Sequence, residues 1–240
     1  MPKFFTFLQS ELMSRRIPNS LARSFRTLCL GLLSLLTPVS MLTAQDLKLG
    51  ESLYQTCVAC HGSEGYGNQL LNAPALAGLP ASYVETQLNN FKNGIRGAHP
   101  DDQSGLQMRP MSMTLQDPQA IVDVAAYIAK FAPKEPADTL QGGDRKKGET
   151  AYALCIACHG PEAEGNELLK SPTLQYQSDW YMLAQLKKFK SGIRGTNPRD
   201  IGGMQMRPMS MTLVDEQAMK DVIAHIRHLS KLAIEEAKNK

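Results

Sequence analysis

The chain has 240 residues, 42% hydrophobic but only 6% aromatic, with 26 Lys and Arg against 23 Asp and Glu. That length suits one large domain or two small ones, and two lobes of roughly 100 residues would each have a small apolar core. Residues 1–44 carry five of the basic side chains and one acidic, leaving 21 against 22 in the remainder, so the pI near 8.5 belongs largely to the N-terminus and no case for nucleic-acid binding survives.

Residues 1–44 read as a secretory signal. Arg15, Arg16, Arg23 and Arg26 form a basic region, residues 28–36 an apolar core that includes Cys29, and Ala44 a small residue at the cleavage point. A twin-arginine reading fails on Pro18 and Asn19, and residues 28–42 include Pro38 and are short for a membrane span. The expected location is the periplasm, with cleavage near Ala44.

After the signal, residues 47–54 place apolar side chains at helical spacing and run into Cys57-Val58-Ala59-Cys60-His61. Two thiols three apart followed by histidine is the sequence form of a c-type haem attachment site. The thiols can form thioethers with the two vinyl groups of one haem, and the histidine then lies against the iron. A zinc site would join two such pairs, but the second pair is distant; a thioredoxin-like site needs a βαβ context that is absent. A Gly-rich loop spans 62–67. A second helix is predicted from Ser82, with Glu85 completing a capping-box pattern, Leu88 and Phe91 on its apolar side and Gly94 at its end. Arg96 sits in the Gly-Ile-Arg-Gly turn that follows. A last helix starts at Asp117-Pro118, an N-cap and a first-turn proline, with Ile121, Val124, Ala125 and Ile128 in one stripe. Residues 133–143, rich in Pro and Gly, read as a linker.

The chain then repeats itself at a fixed offset of 98. Gly50, Tyr54 and Cys57 return as Gly148, Tyr152 and Cys155, and the second motif is Cys155-Ile156-Ala157-Cys158-His159. Phe91, Gly94, Ile95, Arg96 and Gly97 return as Phe189, Gly192, Ile193, Arg194 and Gly195, and Gln-Met-Arg-Pro-Met-Ser-Met-Thr-Leu at 107–115 recurs unchanged at 205–213. The expected organisation is a signal (1–44), a first domain (45–132), a linker (133–143) and a second domain (144–240). No period-two strand appears, so the fold class is all-α.

A haem held by one histidine has a second axial position, and a thioether there gives a six-coordinate electron-transfer iron of raised potential. Met108, Met111 and Met113 are the candidates in the first lobe, and Met206, Met209 and Met211 in the second; those not bound to iron would fill core space. With two CxxCH motifs, the Gly-rich loops and a methionine segment before each last helix, the chain resembles the cytochrome c4 family over nearly all of 45–240. The resemblance implies two tandem cytochrome c-like domains, each wrapped around one covalent haem. In that family the ligand methionine lies seven residues before an apolar residue at the entry to the last helix; Leu115 and Leu213 fill that role and select Met108 and Met206.

Arg96 and Arg194 are candidates to bond haem propionates, as are Arg109 and Arg207, because a guanidinium fork suits a carboxylate. His99, His225 and His228 are read as non-ligating, because His99 aligns with Asn197 and His225 with Tyr127. His225 departs from an aromatic position and is expected to loosen the second lobe. Tyr83 and Trp180 are candidates to pack at haem edges. Residues 45–143 hold 6 basic and 10 acidic side chains, and residues 144–240 hold 15 and 12. Such a field can orient charged redox partners.

The expected cofactors are two haem c. The resemblance implies a one-electron carrier, not an enzyme, between a quinol-oxidising complex and a terminal oxidase or reductase. Peripheral membrane association is compatible with those partners, and no small-molecule substrate is expected. The alternatives are a dihaem enzyme of peroxidase or thiosulfate dehydrogenase type, or the electron-entry subunit of a larger complex; two like methionine segments speak against specialised haems.

Overall fold

The computed structural model describes residues 44–239, and the signal reading, Cys29 included, lies outside them. Among the described residues the secondary structure is helical, with isolated β-bridges at Asn68–Ala73 and Asn166–Ser171. The first lobe contains α1 (Leu47–His61), a 3-10 turn (Gln69–Leu71), α2 (Ala81–Lys92), α3 (Gln103–Met113) and α4 (Pro118–Ile128). The second contains α5 (Arg145–Tyr152), α6 (Ile156–His159), α7 (Asp179–Ser191), α8 (Ile201–Met211) and α9 (Glu216–Lys238). No helix among the described residues is long and apolar enough to cross a membrane.

Each lobe is built on a first helix crossing the last, α1 on α4 and α5 on α9. The crossing is close because Gly50 and Gly148 have no side chain. A Cβ at Gly50 would lie 2.2 Å from the Asp123 carbonyl oxygen, and one at Gly148 1.9 Å from that of Asp221. The buried carboxylates of Asp123 and Asp221 accept hydrogen bonds from the backbone N–H groups of Asp46 and Asp144, at 2.9 and 2.8 Å, and so close the start of each first helix onto the last. Tyr54, Val84, Leu115, Ile121, Val124 and Ile128 make one core; Tyr152, Leu183, Leu213, Val222, Ile223 and Ile226 make the other.

Several sequence expectations meet these helices differently. The Asp117-Pro118 start holds: the Asp117 carboxylate accepts from Gln119 N–H at 2.9 Å. The capping box at Ser82 does not form. Helix α2 begins at Ala81 with Pro80 at its N-cap, and the Ser82 hydroxyl is buried without a hydrogen-bond partner. Proline already fixes the entry angle and brings no N–H, so the serine lies inside the first turn rather than before it. The methionine segments are helices the sequence did not suggest, with Pro110 and Pro208 inside α3 and α8.

Residues 133–143 are held by the second lobe. The backbone N–H groups of Thr139 and Leu140 both donate to Asp179 Oδ2, at 2.6 and 2.8 Å. Arg227 on α9 donates to Asp138 at 3.0 Å and to the Pro136 carbonyl at 2.5 Å, and Lys231 reaches Asp138 at 2.6 Å.

Candidate functional site

Helical spacing puts Cys57 and Cys60 on one face of the last turn of α1, with His61 at its end. In the second lobe Cys155 is the N-cap of the short helix α6, and Cys158 and His159 end it. Of the four motif cysteines, Cys57 and Cys155 are half-buried and Cys60 and Cys158 exposed. Burial, then the neighbouring cysteine, pushes the Cys57 thiol up to about 11, and Cys155 likewise to about 11. Among the described residues no group of three or more His, Cys, Asp or Glu is arranged to hold a metal ion.

The histidine rings are fixed by the backbone. His61 Nδ1 lies 2.9 Å from the Pro74 carbonyl, and His159 Nδ1 3.0 Å from that of Pro172. A carbonyl only accepts, so the proton is on Nδ1 and Nε2 carries the lone pair. Burial also pulls both imidazoles below their ordinary pKa, against the smaller opposing pull of the carbonyl. Each ring is therefore neutral, with Nε2 the nitrogen free to coordinate a metal. The backbone around each is closed by Tyr54 Oη donating to the Gly62 carbonyl at 2.7 Å and Tyr152 Oη to that of Gly160 at 2.8 Å.

Helix α3 brings Met108 and Met111 to one face, three residues apart, and α8 does the same for Met206 and Met209. Met108, Met206 and Met209 are half-buried, and Met111, Met113 and Met211 exposed. The far end of each segment is clamped. Lys92 Nζ, in the last turn of α2, donates to the carbonyls of Leu115 and of Gln116, the latter at 2.8 Å. Lys190 Nζ repeats this on Leu213 and on Val214, at 2.9 Å.

Arg96 and Arg194 are buried where the two lobes meet. Arg96 donates to Gln87 of its own lobe at 2.8 Å and to Tyr181 and Gln185 of the other, at 2.9 and 3.1 Å. Arg194 donates to Gln185 at 2.8 Å and to Gln87 at 3.0 Å. Each guanidinium lies 4.5 Å from its own lobe's phenylalanine ring, Phe91 or Phe189. Burial pushes the Tyr181 phenol up, but Arg96, Arg194 and Lys188 outweigh it and the net shift is downward. Arg109, Arg194 and Arg207 each keep a buried Nε without a hydrogen-bond partner. Two adjacent thiols, an oriented imidazole, thioethers and orphaned guanidinium donors form a set that fits a covalently attached haem with its carboxylates.

The remaining candidates are elsewhere. His225 is buried with its ring 5.4 Å from Tyr152, and His99 sits beside Asp101 at the surface. Trp180 packs edge-on against Tyr181. Sequence reasoning missed Pro74 and Pro172, Gln87 and Gln185, Lys92 and Lys190, and Asp102 and Asp200. All are identical pairs at offset 98, and that identity was the available signal.

Comparison with known proteins agrees with this geometry. The family model described as cytochrome c matches residues 47–132 and again 145–230. The chain is 35% identical over 179 residues to a thiosulfate dehydrogenase electron acceptor from Thiomonas intermedia, covering 70% of this chain and 77% of that one. It is 32% identical over 193 residues to cytochrome c4 of Azotobacter vinelandii, covering 75% and 86%. The crystal structure of reduced cytochrome c4 from Pseudomonas stutzeri superposes with a TM-score of 0.59 at 27% identity, over 77% of this chain and 98% of that one. The thiosulfate dehydrogenase TsdBA from Marichromatium purpuratum gives 0.62 at 27% identity, over 76% of this chain and 40% of the other.

Proposed function

This chain belongs to the cytochrome c family, as a tandem dihaem member of cytochrome c4 type that carries two covalently bound haem c groups and works as an electron carrier, and from that premise we propose how its residues do so. Cys57 and Cys60 hold one haem by thioethers, and Cys155 and Cys158 the other. His61 and His159 would hold the irons through Nε2, and Met108 and Met206 would supply the thioether ligands. Arg96, Arg194, Arg109 and Arg207 supply donors to the propionates. The observation that carries the reading is the proton held on Nδ1 by Pro74 and Pro172, which leaves the coordinating nitrogen free at neutral pH in both lobes.

When bound, each haem supplies reversible one-electron ferric–ferrous chemistry. The polypeptide keeps ligation constant between the two oxidation states: the carbonyls fix ring orientation and the lysine clamps fix the ends of the methionine helices. Residues fixed in this way would hold the group with little reorganisation on electron transfer. No side chain makes or breaks a substrate bond in this account, so the protein is not itself an enzyme. The chain folds as two domains divided at 133–143, is exported to the periplasm with 1–44 removed near Ala44, and exchanges electrons with a quinol-oxidising complex and a terminal oxidase or reductase. A second reading of the donor is favoured by the relatives named thiosulfate dehydrogenase electron acceptor: here the donor is a thiosulfate-oxidising enzyme.

Optical spectroscopy of the exported protein tests the ligand set. Two covalent haems per chain and a near-infrared methionine-to-iron band in the ferric state are expected, with M108A and M206A each removing half of that band. A high-spin, five-coordinate spectrum, or a full band in both variants, would reject the proposed ligands. Reduction by a thiosulfate-oxidising enzyme with thiosulfate, set against reduction by a quinol-oxidising complex, separates the two donors.

A further inference from the structure

The surface between the lobes has an approximate two-fold relation that the offset of 98 makes explicit. Arg96 and Arg194 each bond the glutamine of their own lobe and the glutamine of the other. One step outward the relation continues and then breaks. Asp102, the N-cap of α3, faces Lys188; Asp200, the N-cap of α8, faces Asn90, the residue equivalent to Lys188. Lys188 Nζ lies 2.6 Å from Asp102 Oδ1 and donates to Ser104 Oγ at 2.6 Å. Asn90 Nδ2 stands 3.5 Å from Asp200 Oδ1, and glycine, Gly202, replaces Ser104. Both aspartates accept from the third backbone N–H of the helix they cap, Gly105 at 3.1 Å and Gly203 at 3.0 Å. Both are buried, at 2% and 3% exposure. Asp200 Oδ2 has no hydrogen-bond partner at all.

Two like carboxylates therefore cap the two methionine-bearing helices, one neutralised by an ammonium across the boundary and one not. Buried charges are poorly screened by water and salt, so this difference persists where the surface imbalance between lobes is damped. A negative charge that stays uncompensated favours the ferric over the ferrous form of the iron it is nearer. We propose that Lys188, acting through Asp102, is a positioning residue for charge: it offsets the two haems, displacing the second-lobe potential downward relative to the first and so biasing where an electron rests. The proposal relies on the two-haem reading above, with each methionine helix serving its own lobe's iron.

The test is spectroelectrochemical titration of the full dihaem protein, with haem methyl resonances assigning each potential to a lobe. N90K, which supplies the missing ammonium, is expected to raise the second-lobe potential more than the first. D200N, which removes the charge isosterically, should shift it the same way. K188M should lower the first-lobe potential more than the second and so narrow the gap. If K188M fails to fold, N90K and D200N decide, since both retain the Lys188–Asp102 pair. Equal movement of both haems, or none in N90K and D200N, would overturn the proposal while leaving the two-haem reading intact. Absence of two covalent haems in the unaltered protein would overturn that reading and this proposal together.

Discussion

The first lobe reaches its histidine on one unbroken helix, whereas the second breaks the same path in two. Helix α1 runs from Leu47 to His61; α5 stops at Tyr152 and α6 resumes at Ile156. Beneath these helices an aromatic trio in the first lobe, Tyr54, Tyr127 and Phe131 with ring centroids 4.9–5.7 Å apart, becomes Tyr152, His225 and Leu229. The loop after the motif differs in step with this. Gly65 has a φ of 69°, and a Cβ there would meet the Phe131 ring at 2.6 Å; its counterpart Ala163 holds a φ of 63° and is fully buried. Leucine in place of phenylalanine makes room for the methyl group. The lesson is that the same ligand geometry rests on two packings, one rigid and aromatic, the other smaller and carrying backbone strain.

That contrast can be broken most forcefully at Gly65. G65A combines left-handed strain with overpacking against Phe131 and should cost the first lobe about 2–5 kcal/mol, whereas A163G should change the second by less than about 1 kcal/mol, since relief of strain offsets added chain entropy. Denaturant melts followed at each haem would measure both. The lysine clamps mark where the lobes should agree. K92M and K190M each remove a charged donor from two carbonyls and should destabilise their own lobe by about 1.5 kcal/mol, with the methionine-to-iron band lost at a lower temperature in that lobe only. Unequal losses would mean that the clamp has diverged like the aromatic trio.

A pH dependence sharpens the contrast further. Burial, helped by smaller repulsion from His228 and Arg145 and opposed by the Glu149 carboxylate, holds His225 below its ordinary value of 6.5. Below pH 6.5 the unfolded chain takes a proton that the folded second lobe resists, so stability is full above that value and falls as pH drops. H225Y should abolish this component, and Y127H should transfer it to the first lobe, as acid titration of the two melts would show. The smallest effect is expected at Asp138. Its carboxyl is pulled below the ordinary carboxylate range by Lys231 and Arg227. That contribution is present above pH 3.8 and lost as pH falls through the depressed value. D138N should cost under about 1 kcal/mol, read as a shallower acid limb in the second-lobe melt.

Much of this was legible in the chain. The motifs, the repeat, the Asp117-Pro118 start and the apolar stripe of α4 each follow from spacing and local chemistry. Helices α3 and α8 were not, because glycine and proline at 105 and 110 have low helix propensity. In the fold, Asp102 and Asp200 cap them and Ser112 and Ser210 return a bond to the carbonyl three residues back. The boundary between lobes was the least legible region. Gln87, Tyr181 and Lys188 carry no motif signal in sequence and Arg96 reads as a propionate contact, and only the docked lobes turn them into a buried network. The His225 departure was visible, but its compensation at Ala163 and Leu229 needed three dimensions.

Lys134 lies over the Tyr66 ring of the first lobe, but the hydrogen bonds that hold the linker run downstream of it, to Asp179, Arg227 and Lys231. While the chain emerges from its N-terminal end, everything the first lobe needs is present before the residues that hydrogen-bond 133–143 exist. The first CxxCH is therefore complete before the hydrogen bonds that tie the linker to the second lobe can form. Arrival of α9 then shortens the tether and brings the arginines and glutamines together, so that assembly order is written into which end of the chain holds the clasp.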